Sequence, residues 1–547
     1  MKKNNFVEGT LIATLNIVLV KILGMLYVIP FYNIVGSQGG ALYSYAYNIY
    51  MIFLSISSAG LPNAIAKIIS EYNTLGYHDA KNRAYKIGRN IIAFISIIAF
   101  LVLFIFADEI AKLILGSLEG GNTFEDVAFV IRCVAPAVLI IPFLSILKGY
   151  FQGHKYVSPS SISQVIEQVV RIFVILCGSY LVLKVFNGTL KVAVGLSVAG
   201  AFFGGLAAYI FLRIKLHKNK KLFDLKDEAK EKIDNKTIIK KIFAYSIPFV
   251  VISVACHIYN TTDQILVLHT LDKLHFSPED VEHIASAIST WSSKICMIIN
   301  AMSMGMTVSL IPSIVAAHTE KDDAKVSKLV NQSITMVAFI SLPLATGLCV
   351  LAKPVWYVFY GASKYGPIVL AIQVFSALIG NIFVISSSIC QGLSKYKTVY
   401  ITNFLGFILN ALLDVPMIYL CNAIGWSPVI GSSIASMIGY TVAIIITCIS
   451  LNRYQKINFG FTIKNIFKMI IPAAVMAVVL IIFNKILPFA EMKSTLESIL
   501  LIVCDVAVGA PIFIGISWFM NLFTDIMGKP MVNRLLKKMT FGKLQIK

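Results

Sequence analysis

The sequence predicts an all-α integral membrane protein with fourteen transmembrane helices, arranged as two pseudo-symmetric six-helix lobes followed by two C-terminal helices. Three observations predict this fold class: the apolar composition, the distribution of lysine and arginine, and an internal repeat. Of the 547 residues, 57% are hydrophobic and only 14% are charged, with a mean hydropathy of +0.80. Soluble globular proteins of this length are much more polar, so the chain belongs in a bilayer.

Fourteen segments are long and apolar enough to cross a membrane. A helix needs roughly 20 mostly apolar residues to span the hydrocarbon core, and short polar or glycine-containing breaks separate the segments. The predicted spans are residues 9–35, 43–69, 85–107, 126–148, 159–184, 189–213, 242–270, 284–314, 329–352, 367–390, 398–421, 428–451, 466–487 and 496–523.

The positions of lysine and arginine predict the orientation of these spans. With a cytoplasmic N-terminus, and with residues near span ends counted in the adjoining loop, the cytoplasmic segments hold 34 of the 47 Lys and Arg residues, the outer loops hold eight, and five lie deeper inside spans. Cytoplasmic loops collect these residues during insertion, so both termini are expected in the cytoplasm. Basic loops that face anionic lipids also account for most of the net charge of +20, and no nucleic-acid partner is expected.

One long polar segment, HKNKKLFDLKDEAKEKIDNKTIIKK, separates the first six spans from the rest. The stretch YFQGHKYVSPSSISQVIEQ, around Gln152, has a weak counterpart 239 residues later in ICQGLSKYKTVYITNFLGF, around Gln391. Two six-helix copies insert the same way up and can rock about a central cleft. The predicted domains are an N-terminal lobe at 1–216, a cytoplasmic basic linker at 217–241, a C-terminal lobe at 242–455, and two extra helices with a basic tail at 456–547.

Charged residues inside the spans are candidate functional groups, because each costs at least ~2.5 kcal/mol at membrane depth. Glu167 and Arg171 lie four residues apart, so they share a helix face and can neutralise each other. This pair either fixes helix packing or borders the cleft. Lys21 and Lys294 have no acid one helical turn away, which favours a cleft that binds an anion such as a phosphate-bearing substrate. Alternatively, each lysine pairs with a remote acid such as Asp263.

A second set of buried polar residues is rich in oxygen. It consists of Asp263 together with Asn410 and Asp414, the last two being four residues apart on one helix face. Carboxylate and amide oxygens are hard ligands that suit Na⁺, and a carboxylate can also accept a proton. This set is a candidate site for a coupling ion, and no other cofactor is expected.

Several enzyme classes are disfavoured by motifs that the sequence lacks. It contains no G-x-x-x-x-G-K-[ST], no H-E-x-x-H, and no G-x-S-x-G with a usable triad. A membrane-embedded glycan-processing enzyme would need acids or a metal site on a sizeable outer loop, and the predicted outer loops are short. A transporter is therefore favoured over an enzyme.

Three stretches resemble the YtgP and stage V sporulation protein B branch of the polysaccharide flippases. They read VKILGMLYVIPFYNIVGSQGGALYSYAYNIY, SAGLPNAIAKIISEYNTLG and KGYFQGHKYVSPSSISQVIEQVVRI. These flippases belong to the multidrug, oligosaccharidyl-lipid and polysaccharide exporter superfamily, whose peptidoglycan members are the MurJ-type lipid II flippases. The resemblance extends over nearly the whole chain.

The resemblance implies that undecaprenyl-pyrophosphate-linked peptidoglycan precursor, lipid II, is flipped outward across the bacterial cell membrane, with its pyrophosphate in a cationic cavity. Lys21 stands where relatives place arginine, and Lys294 lies close to another cavity arginine, so both are implied to bind the pyrophosphate. Arg132 and the Glu167–Arg171 pair are expected to support them. Other cavity arginines of the proteobacterial branch have no match here; Tyr27 occupies one such position.

The resemblance also bears on the ion site and on the alternatives. Asp263, Asn410 and Asp414 resemble sodium ligands of some MurJ-type members, and Ser436 in GSSIAS stands where a hydroxyl ligand is expected.

Expected partners are the lipid-linked oligosaccharide, membrane lipids and the cell-wall synthesis machinery that determines cell shape. The alternative substrates are another polyprenyl-linked polysaccharide or a spore-cortex precursor. A drug or cation antiporter of the same superfamily is disfavoured by the cationic cleft.

Overall fold

The computed structural model describes residues 16, 19–58, 60–118, 121–223, 233–300, 314–315, 317–318, 320–487, 494–528 and 532–533. The structure is 89% helical, and these residues contain no strand. Among them, 11 helices are long and apolar enough to cross a membrane. The chain is therefore a multi-pass, all-α membrane protein, as its composition predicts.

The chain divides into two compact units, Met1–Thr290 and Trp291–Lys547. The helix that follows the predicted linker thus belongs to the first unit, whereas the predicted lobes, which rest on the sequence repeat, stay a prediction. The helices of the first unit are α1 (Val28–Ser58), α2 (Leu61–Thr74), α3 (His78–Ile105), α4 (Ala107–Leu115), α5 (Phe124–Gly153), α6 (Val157–Tyr180, continued by a π-helical turn, Leu181–Val185), α7 (Leu190–Lys218), α8 (Asn235–Lys273) and α9 (Pro278–Ser286).

Helix α1 folds back on itself at Gly36, whose backbone angles (φ 68°, ψ −171°) are not helical. In one continuous helix, Tyr27 and Tyr43 would lie about 24 Å apart along the axis. Their hydroxyl oxygens are instead 3.4 Å apart, and the ring centroids of Phe31 and Tyr43 are 5.1 Å apart. Residues 28–35 and 37–58 therefore form two antiparallel limbs, in agreement with the predicted break between the first two spans.

Alanine at Gly36 is expected to destabilise the protein by about 1–3 kcal/mol, because these backbone angles are nearly restricted to glycine. A Cβ at Gly36 would meet no atom within 4 Å, so the cost is conformational rather than steric. Gly347 is the matched control: its Cβ would also enter open space, but its φ is not positive. Thermal unfolding in one detergent should show a lower Tm for Gly36→Ala only; equal Tm values for the two variants would contradict the turn.

Polar caps fix the starts of two helices near the α1 turn. At the start of α5, the Thr123 side chain accepts a hydrogen bond from the backbone N–H of Asp126 (3.2 Å), and the Asp126 carboxylate accepts one from the backbone N–H of Thr123. Helix α9 begins with Ser277, whose hydroxyl accepts from the backbone N–H of Asp280 (3.3 Å). Such caps satisfy free N–H groups and hold the preceding loops in place.

Helix α3 begins at His78, seven residues before the predicted span 85–107. Part of its polar first turn is buried: Lys81 has no exposed surface, and its Nζ donates to the backbone carbonyl of Phe223 at 3.2 Å, whereas Asp79 is exposed. Phe223 follows the short 3₁₀ turn Lys220–Leu222 that comes after α7, and it packs in an aromatic cluster with Tyr150 and Tyr156. Hydropathy detects only the apolar part of such a helix, which is why the predicted start is late.

The second unit contains the remaining long helices. The helix pair that follows Gln455 packs on the helix Asp323–Val350 through an apolar cluster that includes Phe339, Met476 and Phe513. The helices are α10 (Asp323–Val350), α11 (Ala352–Tyr360), α12 (Gly366–Gly392), α13 (Tyr396–Ala423), α14 (Gly431–Gln455), α15 (Gly460–Ile486), α16 (Thr495–Phe519) and α17 (Leu522–Met527).

Candidate functional site

A three-residue charge cluster lies between α5 and α6 in the first unit. Glu167 and Arg171 share one face of α6, and Arg171 Nη2 donates to Glu167 Oε1 at 3.3 Å. The second carboxylate oxygen, Oε2, accepts from Lys148 Nζ at 2.8 Å. All three side chains are largely buried, with exposed fractions of 12–19%. One carboxylate is thus shared by two cations, which leaves one net positive charge.

This arrangement extends the pair predicted from the sequence. The four-residue spacing placed Glu167 and Arg171 together correctly, but it predicted a neutral pair without Lys148, which stands at the end of the predicted span 126–148. Helices α5 and α6 are antiparallel about the turn at Lys155, so a long lysine side chain on one helix reaches the acid on the other. The sequence feature that could have indicated the Lys148–Glu167 contact is that these two residues lie on either side of one tight turn.

Arg171 faces a row of tyrosines on the second limb of α1. The pocket beside it is lined by Tyr43, Tyr47 and Tyr50, with Val134 and small residues of α7 opposite. The rings of Tyr43 and Tyr47 stack with centroids 5.7 Å apart, and Tyr47 and Tyr50 are 6.3 Å apart. Their spacing of four and three residues puts the three rings on one helix face, a pattern visible in the sequence but unused because tyrosine carries no charge.

Arg171, Tyr43, Tyr47 and Tyr50 together form a surface, called the Arg171 surface below, that can bind both charged and apolar groups. A guanidinium group presents planar donors that suit phosphate or carboxylate oxygens. Tyrosine hydroxyls donate and accept hydrogen bonds, while the rings offer apolar faces. The Arg171 surface can therefore hold an anionic group attached to an amphipathic one.

Lys21 lies half-buried on the helical residues 19–26 that precede α1. This segment packs on α6: Asn16 donates to the Gln164 side chain, and a Cβ at Gly24 would lie 3.3 Å from Gln168 Nε2. Lys21 thus belongs to a helix that contacts the helix of Glu167 and Arg171. Lys294 is also half-buried and lies in the second unit. Its predicted role with Lys21 stays a prediction.

Arg132 is placed away from the charge cluster. Its Nη2 donates to Asp108 Oδ2 at 2.6 Å, at the junction of α4 with α5, and both side chains are more than one-third exposed. Sixteen residues separate Arg132 from Lys148 on α5, which corresponds to about 24 Å along the helix. The structure does not bring Arg132 together with Glu167 and Arg171, so a supporting role there remains a prediction only.

The candidate ion ligands fall in both units. In the second unit, Asn410 and Asp414 are buried one turn apart on α13, and Ser436 of α14 donates its hydroxyl to Asn410 Oδ1 at 2.8 Å. Asp263 is buried on α8 in the first unit. Across the part of the chain that the structure describes, no three His, Cys, Asp or Glu side chains converge as a metal site. The second-unit set is therefore one carboxylate with neutral oxygens.

The sequence matches two protein-family models and is similar to proteins of known name. Two family models, both described as "Polysaccharide biosynthesis protein", match residues 6–275 and 231–370. The lipid II flippase MurJ of Bacillus subtilis (strain 168) is 29% identical over 539 residues, which cover 96% of this chain and 97% of that protein. Stage V sporulation protein B of the same organism is 27% identical over 249 residues, covering 45% of this chain and 46% of its own.

Solved structures with the same fold include flippases and exporters. Lipid II flippase MurJ in an inward closed conformation matches with a TM-score of 0.67 at 15% identity, over 93% of this chain and 98% of that chain. An inward-facing multidrug resistance MATE family transporter matches with a TM-score of 0.62 at 15% identity, over 80% of this chain and 94% of that chain. At this identity the likeness establishes a common fold and leaves the substrate open.

Proposed function

Because the chain belongs to the family of polysaccharide biosynthesis proteins, we propose that it is a flippase that moves lipid II from the inner to the outer leaflet by alternating access. The family membership confirms the resemblance predicted from the sequence. The relatives with a named activity are flippases and transporters, which confirms a transporter rather than an enzyme. Lipid II is preferred to a spore-cortex precursor because the match to lipid II flippase MurJ is full-length, whereas the match to stage V sporulation protein B covers 45% of the chain.

The observation that carries this proposal is the net positive charge at Arg171, buried among membrane helices beside tyrosines. A lipid-linked pyrophosphate carries negative charge at membrane depth and needs such a partner, because an unpaired charge there is costly. Arg171 would bind the pyrophosphate oxygens, Lys21 and Lys294 would add point charges, and the tyrosine row would contact the adjoining sugar. A cationic drug would be repelled by this site, which disfavours the antiporter alternative.

The proposal includes fourteen membrane crossings with both termini in the cytoplasm. The hairpin at Gly36 supports it, since the apolar helix Leu19–Ser57 then contributes two crossings. In this topology the α11–α12 loop faces outward and the α12–α13 turn faces the cytoplasm. A membrane-impermeant thiol reagent should label Ser363→Cys in intact cells and leave Ser394→Cys unlabelled; the reverse pattern would invert the topology.

Asn410, Asp414 and Ser436 are proposed to hold Na⁺ as the coupling ion, while the predicted ligand role of Asp263, which lies in the first unit, stays a prediction. One carboxylate with neutral oxygens suits a monovalent cation better than a divalent one. Asp414→Asn should therefore abolish any stimulation of flipping by Na⁺. Asp505→Asn is the control, because Asp505 is equally buried in a membrane helix, α16, but does not belong to the proposed ion site. Unchanged Na⁺ stimulation in Asp414→Asn would remove the coupling claim.

The substrate is tested in cells depleted of every native lipid II flippase. Expression of the chain should restore lipid II to the outer surface, where an impermeant reagent can reach it. If the inserted protein restores no outer lipid II but another undecaprenyl-linked glycan reaches the surface, the substrate assignment moves to that glycan.

A further inference from the structure

Glu282 on α9 is an acid that the proposed transport cycle does not yet use. Glu282 is only 2% exposed. Its carboxylate accepts two hydrogen bonds from Asn122: the backbone N–H donates to Oε1 at 2.9 Å, and the side-chain Nδ2 donates to Oε2 at 2.8 Å. Asn122 Nδ2 also donates to the backbone carbonyl of Gln38 at 3.1 Å, next to the α1 turn. One carboxyl group thus ties together α9, the α4–α5 loop and the turn of α1.

The packing around this carboxyl is tight. A Cβ at Gly121 would lie 2.7 Å from the Glu282 carboxyl carbon, so the loop backbone touches the acid directly. The same loop is held to α8, because Ser117 donates to Asp272 Oδ2 at 3.1 Å. Separation of the loop from α9 is therefore needed before water can reach Glu282.

The donors to Glu282 are neutral. Among the described residues, no Lys, Arg or His nitrogen forms an ion pair with its carboxylate, and burial of an unpaired carboxylate favours its protonated form. Burial raises the pKa of Glu282 to about 7; the Asn122 hydrogen bonds and the nearby Tyr45 hydroxyl act against this, and Glu279 adds to it. Among the titratable groups on the surrounding elements, those nearest to this end of the helices are Tyr32 and Tyr45 on α1, Glu125 and Asp126 at the start of α5, His269 and Asp272 on α8, and Glu279, Asp280 and His283 on α9.

The second limb of α1 lies between Glu282 and the Arg171 surface. Tyr45 faces Glu282, whereas Tyr43 and Tyr47, each two residues away, face Arg171. Two residues correspond to about 200° of helix rotation, so these are opposite faces of one limb. The same limb is tied to α8 and to the end of α9 by buried bonds, including Asn48 to Gln264 at 2.8 Å. Movement of this limb would alter both sites.

We propose that Glu282 is a proton-binding site linked to the position of the second limb of α1. In the closed arrangement the buried carboxyl binds a proton more readily than a hydrated carboxyl does. When the limb and the α4–α5 loop move away, water reaches the carboxyl, the O–H bond breaks, the proton passes to water, and the hydrated carboxylate remains. Any effect of this protonation on lipid flipping rests on the proposed function, whereas the proton equilibrium of Glu282 does not.

The pH dependence has a definite sign. A hydrated Glu282 returns toward its ordinary pKa of 4.5, so the closed arrangement, with the higher pKa, binds the proton more tightly. Acid therefore favours closure. As the pH rises from 4.5 through about 7, the ratio of open to closed molecules should increase by up to about tenfold per pH unit.

Hydrogen exchange of residues 37–58 in the purified full-length protein tests this proposal. After correction for intrinsic exchange, protection of the wild type should fall by at least about tenfold between about pH 5.5 and pH 8.5. Glu282→Gln should remove this pH dependence. Glu279→Gln, which changes an exposed acid on the same helix, should keep the pH dependence, with a midpoint slightly below that of the wild type. The same pH profile in Glu282→Gln and wild type would overturn the proposal.

A second measurement covers the case in which Glu282→Gln does not fold. Infrared titration of the wild type should show the C=O band of a protonated carboxyl lost near pH 7. Tyr45→Phe removes a hydroxyl beside the carboxyl and should move that loss to higher pH. No carboxyl titration near neutral pH would contradict the site. Neither readout requires lipid flipping, so failure of this proposal and failure of the flippase assignment are distinguishable.

Discussion

Replacing Arg171 by glutamine is expected to lower the rate of lipid II flipping by about 10- to 100-fold, because charge-assisted hydrogen bonds contribute about 1.5–3 kcal/mol each. The substitution leaves Lys148 and Glu167 as a neutral pair at 2.8 Å. The net positive charge beside the tyrosine row is then lost, while the buried carboxylate keeps one cationic partner. Binding should fail without loss of folding, which size-exclusion chromatography of the purified variant checks.

Arg83→Gln is the matched control for this substitution. Arg83 also pairs with an acid four residues away, Asp79, at 2.8 Å, but that pair is more exposed and lies at the start of α3. Its loss should change flipping less than about twofold, because its other hydrogen bonds, to the Asn235 side chain and the Ile233 carbonyl, also lie outside the candidate site. Equal losses in Arg171→Gln and Arg83→Gln would show that the effect is not specific to the candidate site.

Replacing Glu167 by glutamine is expected to have the largest effect on stability, about 3–5 kcal/mol, because two buried cations lose the acid that they share. Lys148 and Arg171 have side chains only 12% and 19% exposed, so water can replace the carboxylate only in part. The purified variant should therefore unfold at a markedly lower temperature than the wild type. It should also accumulate to a lower level in the membrane.

Glu320→Gln controls for the loss of an acid as such. Glu320 pairs with Lys325 at 2.8 Å, but both side chains are about half exposed. Surface pairs of this kind contribute about 0–1 kcal/mol, so a small change in Tm is expected. If Glu167→Gln were as stable as Glu320→Gln, the cluster would not hold α5 to α6.

Much of the fold was predictable because a bilayer imposes simple rules on composition and helix length. Apolar segments located the membrane helices, and the break near Gly36 was placed correctly. The start of α3 at His78 was missed, since Lys81 is buried by contacts with Phe223 that come from a distant part of the chain. Hydropathy carries no information about such contacts.

The contacts of the candidate site were predictable only between residues that are close together in the sequence. Glu167 and Arg171 are neighbours on one helix, so their spacing was sufficient. Lys148 reaches Glu167 from another helix, and Glu282 meets Asn122 across 160 residues of sequence. Those contacts depend on how helices and loops pack. Arg132 shows the converse: its charge suggested a role in the cleft, and the structure pairs it with Asp108.

The most direct test of the central claim is the accessibility of lipid II in liposomes that contain the purified protein, measured with a membrane-impermeant enzyme that modifies its sugar. With the wild type and with Arg83→Gln, lipid II from both leaflets should be consumed. With Arg171→Gln, only the outer-leaflet share should be consumed over the same period. If the wild type also leaves the inner-leaflet lipid II untouched, the protein does not flip this lipid, and the Arg171 surface serves another substrate.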